Sequence, residues 1–75
     1  MDKIKKNIFS LPYQSDRVCE IIKGITDERV EIVNIYGGAT GDDVTSCLYT
    51  FPCTDEVFNI IVKLLNELGY EAIKD

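Results

Sequence analysis

Apolar residues recur along this chain in two rhythms. Val18, Ile21, Ile22 and Ile25 keep the i, i+3, i+4, i+7 spacing of an amphipathic helix. Val57, Phe58, Ile61, Leu64, Leu65 and Leu68 keep a helical spacing again, with Ile60 and Val62 widening the stripe. Elsewhere the period is two. Over residues 28–36, Val30 and Ile32 face one way while Glu31, Val33 and Ile35 face the other. This run is β-branched and ends in Tyr36, as a central strand would. Residues 44–51 behave alike, with Val44 and Leu48 opposite Cys47, Tyr49 and Phe51. Residues 3–11 form a first strand, Ile4 and Ile8 on one face and Phe9 and Leu11 on the other. Tyr70 to Lys74 makes a short last one.

Punctuation residues mark the boundaries. Pro12 ends the first strand by lacking a donor, and Ser15 caps a helix whose first turn carries Asp16. Gly24 weakens that helix by about 1 kcal/mol relative to alanine and stands near its end. Pro52 closes the strand before it. Thr54 caps the second helix, followed by Asp55 and Glu56, and Gly69 stands at its C′ position. The order is strand, helix, strand, strand, helix, strand. Two crossovers sharing one antiparallel sheet give a ferredoxin-like α+β sandwich with both helices on one face. A three-stranded variant with residues 3–11 irregular is the structural alternative.

Seventy-five residues allow one domain, spanning 1–75. The hydrophobic fraction of 45% suffices for a core, and so argues against disorder. A net charge of −5 argues against nucleic acid as a partner, because phosphate binding needs clustered cations. The basic cluster Lys3, Lys5 and Lys6 reads as a solvated strand edge. No apolar run approaches the ~20 residues that span a bilayer. Lysines near the start are not followed by an apolar core, so no secretory signal is expected. Cys19, Cys47 and Cys53 are odd in number and form no CxxC, which fits reduced, buried thiols in a cytoplasmic protein.

Histidine is absent. That removes the commonest general base, leaves any cysteine nucleophile without its usual partner, and leaves three thiolates one ligand short of a metal site. Hence neither an enzyme nor a cofactor is expected. Gly37-Gly38-Ala39-Thr40-Gly41 differs from a phosphate loop, since a strand follows where a helix and a lysine should. It reads as a hairpin loop. Asp42 and Asp43 read as solvated, without the alternating oxygen ligands of a calcium loop. Asn34, the one polar residue inside the apolar strand, is either a satisfied structural amide or a hydrogen-bonding position in a groove. Tyr13 and Gln14 precede a helix start, where a small anion or carboxylate can bind. Tyr36 and Tyr49 read as packing residues with a solvated hydroxyl. Apolar residues on both sheet faces exceed what helices on one side can cover, so a second chain or a ligand is expected on the other.

Three stretches carry a resemblance. Residues 15–22, Ser-Asp-Arg-Val-Cys-Glu-Ile-Ile, are similar to the Pro-Gly-x-Leu helix opening of ACT domains. Residues 29–36, Arg-Val-Glu-Ile-Val-Asn-Ile-Tyr, are similar to that family's Gly-Ile/Val-Asn-Ile second strand, and residues 64–73 resemble its last helix and strand. Ser15, Asp16 and Glu31 stand where the family carries proline, glycine and asparagine. The resemblance implies a non-catalytic regulatory module that binds an amino acid and forms a homodimer with sheets side by side. It implies ligand contacts from Tyr13, Gln14, Ser15, Asp16 and Asn34. A second reading, from the net charge alone, is a small acidic protein that blocks a partner's basic surface.

Overall fold

The computed structural model describes residues 3–11 and 15–74. Six elements follow one another: β1 (Ile4–Ser10), α1 (Ser15–Thr26), β2 (Glu31–Gly37), β3 (Asp43–Cys53), α2 (Asp55–Glu67) and β4 (Ile73–Lys74). The strands form one sheet in the order β2-β3-β1-β4, every neighbouring pair antiparallel. The two strand-helix-strand units are therefore interleaved, each contributing one inner and one outer strand. This is the ferredoxin-like α+β sandwich that the element order predicts.

Period-two burial organises the core. In β3, Cys47, Tyr49, Phe51 and Cys53 are all buried, and the residues between them are only partly so. Across the sheet Ile8 stands opposite Tyr49 and Ser10 opposite Cys47. Val18 and Ile22 of α1 and Phe58, Ile61, Val62 and Leu65 of α2 join them in one cluster. Both helices thus lie on the same face. Phe51 and Phe58 meet edge to face-like, their rings tilted by 47° at a 6.2 Å centroid separation.

The caps of α2 stand where local chemistry puts them. Thr54 is extended and its hydroxyl accepts from Val57 N–H. Gly69 takes φ +88°, while its N–H reaches Asn66 O and that of Tyr70 reaches Leu65 O, the two bonds of a Schellman stop. Gly38 and Gly41, both at positive φ, turn the β2–β3 hairpin. Lysines expected at a solvated edge hold acids instead. Lys6 binds Asp55 and lies over the Phe58 ring, and Lys3 approaches Glu28 at 3.8 Å. By hydrogen bond and by charge, Lys6 holds the Asp55 carboxyl below its ordinary range.

Four expectations are corrected. The strand of residues 28–36 is not central: β2 begins at Glu31 and lies at the sheet edge. Ser15 is already the first helical residue rather than the cap. Pro52 does not close β3, which continues to Cys53. Its missing donor costs nothing there, because on that side β2 has already ended. The last strand is two residues long, not five. Glu71 adopts the left-handed φ of +52°, so residues 70–72 leave the ladder. They are tied down otherwise: Ser10 Oγ donates to Tyr70 O, and Asn66 Nδ2 to Ala72 O.

A left-handed side-chain-bearing residue is a removable strain. Replacing Glu71 with glycine should stabilise the fold by up to about 1 kcal/mol, seen as a higher urea midpoint with an unchanged slope. Ile61→Ala, which empties a fully buried site, should cost about 2–5 kcal/mol in the same titration.

Candidate functional site

Helix α1 packs mainly on β3 and on α2. The inner face of β2 is consequently only half covered. Val30 reaches the core, but Ile32 is 42% exposed, Asn34 is exposed, and Tyr36 is 59% exposed. A groove of about 520 Å³ opens between the strand's start and the helix, lined by Cys19, Glu20, Lys23, Asp27, Glu28, Arg29 and Val30. Its rim carries both signs of charge. Its base is apolar.

The turn that forms the groove is set locally. Thr26 Oγ1 donates to Ile22 O and accepts from Glu28 N–H. Asp27, at φ +55°, ends the helix with its N–H on Lys23 O. The chain then leads into β2, and Arg29 and Val30 line the same groove as Lys23 and Cys19.

Asp16 lies one helical turn before Glu20 on α1 and Asn34 lies on β2 beyond Val30, both outside the groove's lining, and Asn34 Oδ1 accepts from the Cys47 thiol at 3.4 Å. Cys47 and Tyr49 are buried and Cys19 is partly so. Tyr49 is wholly buried, and its hydroxyl has no hydrogen-bond partner among the described residues. Burial, with the neighbouring thiols Cys47 and Cys19 adding to it, pushes the Tyr49 phenol far above its ordinary pKa. Burial, then the Asp16 charge, raises the Cys19 thiol too. Raised values make both groups poor nucleophiles at neutral pH.

The sequence-expected ligand residues fare unevenly. Asp16 and Asn34 stand outside the groove's lining, and Asn34 is bonded to the Cys47 thiol. Ser15 opens α1, partly buried. Tyr13 and Gln14 lie outside the described residues. Asn34 is no interior amide, since it is exposed on the edge strand. Tyr49 lacks the solvated hydroxyl expected of it, whereas Tyr36 is open to water. Periodicity gave no warning of Cys19, Lys23 or Arg29. A usable signal was present in β2, whose core-facing positions after Ile32 turn to Asn34 and Tyr36.

Among the described residues, no group of three or more His, Cys, Asp or Glu side chains could hold a metal. No described helix is long and apolar enough to cross a membrane. No protein-family profile, curated protein or solved structure matches the chain.

The buried phenol generates a pH dependence. In the unfolded chain it ionises near pH 10, while the folded form still holds its proton, so stability present below pH 10 is lost as pH rises above it. The raised Cys19 and Cys53 thiols begin the same loss near pH 8.5. Tyr49→Phe removes both the phenol's share and an unpartnered hydroxyl. It should leave the protein as stable as the parent or more so by about 1 kcal/mol at pH 7, with a shallower decline in urea midpoint from pH 9.5 to 11.

Proposed function

We propose that this chain is a non-catalytic, ACT-like regulatory module that binds an amino acid and associates with its own kind. The observation that carries this reading is the mixed-charge groove beside the half-covered face of β2. A free amino acid presents a carboxylate, an ammonium and a side chain within a few ångströms. Arg29 and Lys23 suit the carboxylate, Glu20 and Asp27 suit the ammonium, and Val30 offers the side chain an apolar base. In this reading Ser15 and Asp16 at the start of α1 and Asn34 on β2 add ligand contacts beyond the groove, and Tyr13 and Gln14, which precede α1 in the sequence, remain ligand candidates.

The catalytic alternative lacks support in the chemistry of the side chains. The partly buried Cys19 thiol in the groove and the buried Tyr49 phenol both have raised pKa values, and the chain has no imidazole to take a proton from them.

A thermal-shift panel of the twenty amino acids tests the ligand half. A ligand at a hundred times its Kd stabilises the folded state by about 2.7 kcal/mol, a rise of roughly 10–20 °C for a domain this size. Arg29→Ala should abolish the rise while leaving the unliganded melting point within about 2 °C. If no amino acid moves the wild-type melting point, the ligand half is wrong; salt-sensitive capture of a basic protein would then favour the acidic blocker.

A further inference from the structure

The sheet face opposite the helices carries a row of apolar side chains from one edge to the other. Residues directly opposite one another on antiparallel strands share a face. Val33 stands opposite Leu48, Leu48 opposite Phe9, and Phe9 opposite Ile73, so one row crosses all four strands. Their chain neighbours Ile8, Cys47 and Tyr49 are buried under the helices, which puts this row on the outer face. Both of its ends are open, Val33 54% exposed and Ile73 65%. Ile35 and Leu11, two residues beyond Val33 and Phe9, widen the row on one side. At the β4 end Phe9, Ser10, Leu11, Ser46, Glu71 and Ile73 line a hollow of about 190 Å³.

This stripe is long and narrow. Strands about 4.8 Å apart give it about 14 Å between its outermost Cα positions, and residues two apart give it a backbone width of about 6.6 Å. An α-helix of about 12 residues is about 18 Å long and about 10 Å wide, which fits such a footprint. A second sheet fits it badly, because polar residues flank the stripe. Glu31 stands opposite Thr50 and Thr50 opposite Asn7, with Thr50 Oγ1 donating to Asn7 Oδ1 at 2.8 Å. Lys5 lies two residues farther out on β1. A covering sheet would strip water from both Glu31 and Lys5. The nearer charges are negative. Glu31 borders one side of the stripe, exposed Asp43 lies toward the other, and exposed Glu71 stands at the rim of the hollow.

We propose that this face receives an amphipathic helix of a partner protein, laid across the strands, with basic residues flanking its apolar side. One large apolar side chain of that helix fills the hollow beside Phe9, Leu11 and Ile73, and a neighbouring lysine or arginine meets Glu71. Apolar residues on its later turns cover Leu48 and Val33, while further cations meet Glu31 and Asp43. The face lies on the other side of the sheet from the groove. An amino acid and a helix therefore do not compete.

Fluorescence anisotropy with a labelled model peptide tests this. The probe is a leucine–lysine helix of about 14 residues with leucines at i, i+3, i+4 and i+7 spacing. It should bind saturably. The same residues in scrambled order, or with glutamate for every lysine, should bind at least about tenfold more weakly. Val33→Asn and Ile73→Asn, made together at the two ends of the row, should weaken the basic helix at least about tenfold. Glu71→Gln should weaken it less, and the loss should vanish at high salt. Amide shifts in the wild type, which need no variant, should concentrate on β1, β3 and β4 rather than on α1 and α2. Absence of saturable binding, equal binding of the scrambled peptide, an unaffected double variant, or shifts concentrated on the helices overturns the proposal. A wild-type dimer that Ile73→Asn turns into a monomer gives this face to a second copy and overturns it too. None of these outcomes bears on the amino-acid melting panel.

Discussion

The alternating burial of β3 is the constraint on which the rest of the molecule depends. Cys47, Tyr49, Phe51 and Cys53 point into one layer, and both helices must press their apolar stripes onto that row to leave water. β3 pairs along both of its edges, with β1 in a seven-residue register on one side and β2 on the other. No other strand is so long. Helix α1 packs both on this strand and on α2.

That arrangement leaves β2 with a divided allegiance. Its ladder is complete on one side, yet α1 leans toward β3 and α2, and its inner face stays half open. The groove, the exposed Asn34 and the bare edge are therefore three aspects of one shortfall in covering.

What could be read from the residues follows how local the determining physics is. Thr54 and Gly69 mark the ends of α2 because caps depend on bonds across three or four residues. The helical stripes of Val18 to Ile25 and Val57 to Leu68 were legible for a similar reason, and so was the period-two face of β3. The edge position of β2 was not legible, because strand order depends on pairings such as Ile4 with Cys53 that composition does not encode. Pro52 misled for a related reason: whether a missing donor matters depends on which neighbour stands opposite it. Glu71 carries no glycine-like signal of its left-handed turn, so the last strand was expected to be longer than it is. The groove's lining was not legible: Asp16 and Asn34, expected as ligand contacts, stand outside it. Lys23 and Arg29 look like ordinary surface cations until the turn at Asp27 brings both to the lining of one groove.

Interleaving of the two strand-helix-strand units also bears on how the chain reaches this state. Each central strand comes from a different half, so neither half can close a sheet by itself. The β1–β3 ladder joins residues 37 to 49 positions apart, and its loop must be closed before most of the apolar surface is hidden. Only the β2–β3 hairpin and the helices can begin early from neighbouring residues. Folding thus waits on the encounter of distant segments, which places this mixed helix-and-strand chain between the fast helical bundles and the slow all-strand domains.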